Sequence, residues 1–246
     1  MTGVNRVGVG ASLRWLSQGW RDMLRAPGPC LVYGAAVAAL SYGIWTSLIS
    51  SNLAFWALSL SCGFVFLAPM LAMGLYEAGR RIGDGERPTL RQMLFVHSAV
   101  RSHIFYFGLA LLLIYLLWGR IAQVVYGLST YRLHKTVPDF IDFAISTPDG
   151  HGMLIAGTVI GGVLAFFTFA LSVVSAPMLL DQKANVFGAM FISLRAVSVN
   201  LPALLLWAFL ITMLLIACAA SSWLGLILVF PWLGLASWRA YCDLVS

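Results

Sequence analysis

Charge is what this chain has least of. Of its 246 residues only 10% are Asp, Glu, Lys or Arg, against 61% hydrophobic. A soluble domain of this length carries about a quarter charged residues, and with so few it could not cover its surface in water. A water-soluble enzyme or binding module is excluded, and the surrounding solvent is a bilayer. Cysteine is scarce as well. Cys30, Cys62, Cys218 and Cys242 form no CxxC pair and lie near no histidine at metal-ligand spacing, so they read as small buried apolar side chains. The histidines are His97, His103, His134 and His151. All four fall in interfacial segments or loops, and His97 and His103, six apart, point in different directions on one helix. No CxxCH is present. A catalytic haem or copper subunit needs such ligands at bilayer depth. A cleavable leader is not apparent either: the first thirty residues hold Arg6, Arg14, Arg21, Asp22 and Arg25 but no apolar core with a small-x-small site, so the N-terminus is expected to be retained.

What the chain does have is long apolar runs. Each spanning helix needs about 20 such residues, and six stretches qualify: Leu31–Ser50, Leu53–Leu75, Ile104–Tyr126, Met153–Leu180, Leu201–Ala220 and Trp223–Trp238. A backbone in hydrocarbon must satisfy its own hydrogen bonds, so these are helices. The weakest divisions, near Ser50 and Ser221, read as tight hairpins. Arg6, Arg14, Arg21, Arg25, Arg80, Arg81, Arg87, Arg91, Arg101, Lys183, Arg195 and Arg239 fall on one side of this arrangement. Arg120, Arg132 and Lys135 fall on the other. That bias predicts both termini in the cytoplasm. The net charge of +6 then orients the chain and meets anionic headgroups, and no basic soluble face exists to bind nucleic acid.

The fold class expected is therefore all-α: a polytopic bundle of six transmembrane helices, N-in and C-in. Residues 1–30 form a cytoplasmic amphipathic N-terminal helix and residues 31–246 the six-helix domain, with an outer loop at 127–152 and cytoplasmic loops at 76–103 and 181–200. Amphipathic helices are expected at the interfaces: one through Leu13, Leu16, Trp20, Met23 and Leu24, one at Pro88–His103 with Thr89 as N-cap, one at Asn185–Asn200, and one in the outer loop through Val137, Phe140, Ile141, Phe143 and Ala144. Thr147-Pro148-Asp149-Gly150 reads as a turn closing that loop. Trp20, Trp232 and Trp238 are expected as inner anchors and Trp45, Trp56 and Trp223 as outer ones.

A pattern recurs three times: a basic amphipathic helix, a spanning helix, an outer turn, a second spanning helix and a proline. Arg25, Arg101 and Arg195 stand before the first helix of each unit; Pro69, Pro177 and Pro231 stand near the end of the second, twice as Ala-Pro-Met. Each unit starts and ends inside, so these are parallel helix-hairpin repeats, and the prolines are expected to kink their helices. Gly157, Gly161 and Gly162 give the fourth span a small-residue packing face.

Three stretches, GWRDMLRAPGPCLVYG (Gly19–Gly34), SVVSAPMLLDQKANVFGAMFISLRAVSVNLPALLLWA (Ser172–Ala208) and FPWLGLASWRAYCDLV (Phe230–Val245), resemble the DUF2189 family of predicted bacterial integral membrane proteins. The likeness covers nearly the whole chain after Leu13. Gln182 stands where the family usually has arginine. The resemblance implies a multi-pass bacterial inner-membrane protein. Some members are labelled cytochrome c oxidase subunits, a role for which the histidines here offer no ligand set.

No catalytic, cofactor-binding or metal-binding residues are expected. Arg120 with Gln123, at the outer end of the third span, is the one candidate anion contact, and Asp139, Asp142, Asp149 and His151 fit no metal-ligand spacing. The loop RRIGDGERP (Arg80–Pro88) follows no strand, so it is a tight turn and not a nucleotide cradle. The expected function is non-catalytic: an accessory, assembly or scaffold subunit of a larger membrane complex, possible respiratory complexes included, whose partners are the bilayer and other membrane subunits. The alternative is a channel or facilitator for a small solute or anion through a pseudo-threefold bundle, for which the hydroxyls of Thr158, Thr168, Ser172 and Ser175 would face water.

Overall fold

The computed structural model describes residues 3–96 and 101–245, the side chain of residue 101 apart. Twelve helices are found among these residues, and no strand; the single β-type contact is an antiparallel bridge between Val4 and Val245. Five helical stretches are long and apolar enough to cross a membrane. They are α2 (Pro27–Ser50), α3 (Ala54–Leu71), α6 (Arg101–Ser129), the α8–α9 stretch (Pro148–Asp181) and α11 (Leu201–Ala220). The shorter or more polar helices are α1 (Ala11–Arg25), α4 (Met73–Gly83), α5 (Leu90–Leu94), α7 (Val137–Ser146), α10 (Val186–Val199) and α12 (Leu226–Leu244). The expected sixth span coincides with α12, whose last two turns carry Arg239 and Asp243 and which is not among the five.

Both predicted hairpins are present. At the first, Asn52 takes a left-handed φ of 58°; at the second, Ser222 and Trp223 take φ of 51° and 68°. Asn enters this region readily, whereas a bulky aromatic does so only when its surroundings hold it there.

Several expected boundaries are corrected. The second span ends at Leu71, and Met73–Gly83 is a separate helix. The fourth divides at residues 173–174 into α8 (Pro148–Ser172) and α9 (Ser175–Asp181). Thr147–Gly150 is not a loop-closing turn: Pro148 opens α8, and the Thr147 Oγ1 accepts from the Gly150 N–H at 3.0 Å. Thr followed by Pro suits an N-cap and first helical position as well as it suits a turn. The helix expected over Pro88–His103 is only five residues long within the described part. It starts where expected, with the Thr89 N–H and hydroxyl both donating to the Gln92 Oε1 at 2.9 Å. His97 lies outside the described residues.

The chain divides into two compact units, one of residues 1–40, 69–108 and 169–246, the other of residues 41–68 and 109–168. In the second unit, Phe55 stacks on Tyr126 at 4.5 Å between ring centroids, beside Phe140 and Phe143 of α7. The apolar side of α7 thus packs inward, as its Thr136 cap and periodicity require. Deeper along α6, Trp118 is buried against Phe66, and its Nε1 donates to the Ser59 carbonyl at 2.8 Å. Gly161 receives this ring: a Cβ there would lie 2.8 Å from Trp118 Cζ3. Added Cβ atoms at Gly157 and Gly162 would meet nothing within 4 Å. Of the three glycines expected to form a packing face, one packs and two are open.

In the first unit α12 is the centre, against α1, α4, α9 and α11. Close approach explains its neighbours' composition. A Cβ at Gly19 of α1 would lie 2.6 Å from the Ala236 backbone N, so only glycine lets the two helices meet. The tryptophans expected as inner anchors are packing elements here. Trp20 meets Trp232 edge-on at 5.2 Å, Trp232 Nε1 donates to the Leu16 carbonyl at 2.8 Å, and Trp238 is buried over Tyr241. Trp20 and Trp232 stay half-exposed at this joint between α1 and α12.

Candidate functional site

Pro69 and Pro177 sit beside a helix interruption and Pro231 inside a continuous helix, and at each a neighbouring helix, α2 twice and α10 once, meets the backbone nearby. Pro69 lies near the end of α3. Three residues on, the Leu75 N–H turns to the Ala72 carbonyl at 2.9 Å. The Leu71 carbonyl, freed by that turn, accepts the Tyr33 hydroxyl at 2.7 Å. Pro177 lies in the first turn of α9, where its ring crowds the carbonyl four residues back. Here the Ser193 hydroxyl of α10 enters the break: its Oγ accepts from the Val174 N–H at 3.2 Å and donates to the Ala170 carbonyl at 2.7 Å. Pro231 stays inside a continuous α12. The carbonyl four residues before it, that of Ile227, faces Gly34 so closely that a Cβ would collide with it. Unpaired backbone groups in hydrocarbon are costly; the Tyr33 and Ser193 hydroxyls pair the groups freed at the first two sites, while at the third Gly34 packs against the carbonyl.

Most acids of the same unit are held by named partners. Asp22, 3% exposed at its side chain, takes Arg239 in a fork, with Nε–Oδ2 2.6 Å and Nη2–Oδ1 2.9 Å. Arg25, mostly exposed, touches the same carboxylate at 3.4 Å. Glu77, buried in α4, accepts from Arg80 at 2.9–3.0 Å and from Arg81 at 2.7 Å. Arg81 then reaches Glu86 at 2.8 Å. This second contact is possible because the chain reverses at Gly85, φ +81°, with the Glu86 N–H on the Arg81 carbonyl. Asp243 accepts from Arg14 and from Trp15 Nε1, both at 2.8 Å. Asp181 accepts the Tyr241 hydroxyl at 2.8 Å, and Gln182 donates to that hydroxyl at 3.1 Å.

The two chain ends join this layer. The Asn5 N–H donates to the Leu244 carbonyl at 2.9 Å, beside the Val4–Val245 bridge. Asn200, buried between α10 and α11, treats the N-terminal segment as a strand would: its Oδ1 accepts from the Val7 N–H at 2.8 Å and its Nδ2 donates to the Asn5 carbonyl at 2.9 Å. The Asn200-Leu201-Pro202 step therefore starts a span and holds the N-terminus at once.

The sequence did not point to Asp22, Glu77, Asp181, Arg239, Tyr241 or Asn200. Their spacing carries no motif; the signal present was the rarity of acids in an apolar chain, since a buried carboxylate requires a partner. The carboxylates of Asp22 and Glu77 are filled by guanidinium donors, from α12 and α1 for Asp22 and from α4 itself for Glu77, which leaves little lone-pair capacity for a ligand.

The residues named from the sequence lie elsewhere. Arg120 is exposed and donates to the Gln123 Oε1 at 3.2 Å. His134 stacks on Phe143 at 4.5 Å and shares a 2.8 Å contact with the Tyr126 hydroxyl. His151 Nε2 meets the Ile145 carbonyl at 2.8 Å. Among the described residues no three His, Cys, Asp or Glu side chains gather at a metal-binding distance. The hydroxyls of Thr168, Ser172 and Ser175 donate to the carbonyls of Leu164, Phe169 and Leu171 in their own helical stretch.

No curated protein and no solved structure matches the chain. A family described as predicted integral membrane proteins does match, over residues 57–181, a range that includes Ser172–Asp181 of the stretches quoted for the resemblance. Matched over half its length to that family, and built from helices of membrane-crossing length, the chain belongs to DUF2189.

Proposed function

We propose that this protein is a non-catalytic, contact-acting subunit of a larger assembly in the bacterial inner membrane, with six crossings and both ends in the cytoplasm. The observation that carries the contact role is the state of the fourth span. Only 11% of its apolar window is buried, the lowest share of the five, and Gly157 and Gly162 lie open along it. A helix of another subunit can approach such a surface at backbone distance. Of the hydroxyls that a solute pathway would use, those of Thr168, Ser172 and Ser175 are turned onto their own helical stretch instead, while Thr158 is exposed.

The topology has separate support. Val4 and Val245 are bridged, and chain ends in contact lie on one face of a bilayer. An even number of crossings, with α12 as the sixth, fits that contact. The element order supports the parallel repeat: α1, α5 and α10 each precede the first span of a pair, and each second span carries its proline.

The deciding experiment is mild solubilisation from native membranes, affinity purification of the full chain and mass spectrometry of co-migrating proteins. A stoichiometric partner that is lost with Gly157→Leu and Gly162→Leu, while the chain itself elutes unchanged, is the expected result. A chain that elutes alone and passes a small solute in vesicles would instead establish the facilitator reading. Accessibility labelling that placed the two ends on opposite faces would overturn the topology.

A further inference from the structure

Helix α10 has two faces with different needs. Ala189, Ser193, Ala196 and Val197 are buried against the first unit. On the other side Phe187 and Phe191 are 84% and 67% exposed, and Leu194 follows on the same ridge. Spacings of four and three residues keep these three side chains on one line. The ridge then becomes polar, with Arg195 and Ser198 exposed at its end. Lys183, also exposed, stands just before the Asn185 cap that starts the helix. The helix itself contains no acid.

The position of α10 says what covers this ridge. It ends at Val199, and the α11 span starts at Leu201 with only Asn200 between them. The ridge therefore lies at the depth where hydrocarbon begins, a depth set by α11 and not by α10's own composition. Its charge says which lipid. In this unit Asp22, Glu77, Glu86 and Asp243 are already taken by Arg14, Arg25, Arg80, Arg81 and Arg239. Asp181, exposed just before the helix, accepts the Tyr241 hydroxyl; Lys183 and Arg195 are in no ion pair among the described residues, so two exposed cations stand against that one acid and the balance around α10 is positive.

We propose that α10 lies in the headgroup–acyl boundary of an anionic phospholipid leaflet, with Phe187, Phe191 and Leu194 among the acyl chains and Lys183 and Arg195 on lipid phosphates. An interfacial helix gains from both terms, apolar burial and attraction to anionic headgroups. A zwitterionic leaflet supplies only the first. The opposite face carries Ser193 into the α8–α9 break, so the lipid that seats α10 also steadies that kink. This inference requires the chain to be in a membrane but not that it have a protein partner.

Two measurements on the full chain in nanodiscs test it. In mixed phosphatidylcholine and phosphatidylglycerol, native mass spectrometry is expected to show phosphatidylglycerol retained preferentially. Removing Lys183 and Arg195 as Lys183→Gln and Arg195→Gln should reduce that preference about fivefold per charge, while Lys183→Arg and Arg195→Lys keep it. Both side chains are exposed, so elution of the variants should not change. A photo-crosslinking phenylalanine analogue at position 191, in native membranes, is expected to give lipid adducts. Equal retention of the two lipids by the wild type, an unchanged preference in the glutamine variants, or an adduct to a protein at position 191 would each overturn the proposal.

Discussion

The Ser193 hydroxyl stands between the Val174 N–H and the Ala170 carbonyl, at 3.2 and 2.7 Å, in the place of the backbone hydrogen bond that would otherwise join residues four apart. One side chain from α10 thus serves two backbone groups of another helix. Ser193→Ala leaves both without this partner in a fully buried setting. The expected cost is about 1–3 kcal/mol. At about 2–4 °C per kcal/mol for a chain of this size, thermal unfolding in detergent should reveal it. Ser198→Ala, on the exposed face of the same helix, should change stability by less than about 0.5 kcal/mol.

Pro231 and the residues around it make a steric demand instead. Gly34→Ala would drive a methyl into the Ile227 carbonyl and to 3.0 Å from Pro231 Cδ. Backbone has to shift, at about 1–3 kcal/mol. Gly157→Ala meets open space and should stay within about 0.5 kcal/mol. Comparing the two midpoints checks the assignment of close approach to Gly34, and equal effects would contradict it.

Asp22 and Arg239 are 217 residues apart in sequence and form the fork that ties α1 to α12. With Asp22 buried and Arg239 about a quarter exposed, Asp22→Asn should cost about 2–3 kcal/mol, less than a fully buried pair because solvent reaches the guanidinium. Arg239→Gln, which leaves the buried carboxylate with only Arg25, should cost at least as much. The double variant should cost less than the two singles added together, which a double-mutant cycle measures directly.

Much of the architecture was legible in the residues. Apolar runs of sufficient length set the spans, Ser50–Asn52 and Ser221–Gly225 marked the hairpins, and the periodicity of Val137–Ala144 marked α7. These are local effects, decided by what a helix must do in hydrocarbon and by what short polar stretches allow. The turn expected at Thr147–Gly150 failed locally too, since Thr-Pro-Asp serves a helix start as readily as a reversal. What composition could not rank was which glycine packs. Gly157, Gly161 and Gly162 are chemically alike, and only the position of Trp118 distinguishes Gly161. Nor could it pair Asp22 with Arg239, Asp243 with Arg14, or Asn200 with the N-terminal segment, because each partner lies far along the chain. The sequence alone determined the solvent, the helices and where prolines would disturb them. Only the tertiary structure decided how those disturbances are satisfied, because a freed carbonyl or N–H takes whichever hydroxyl or close backbone the packing brings to it, and packing joins residues that no local pattern relates.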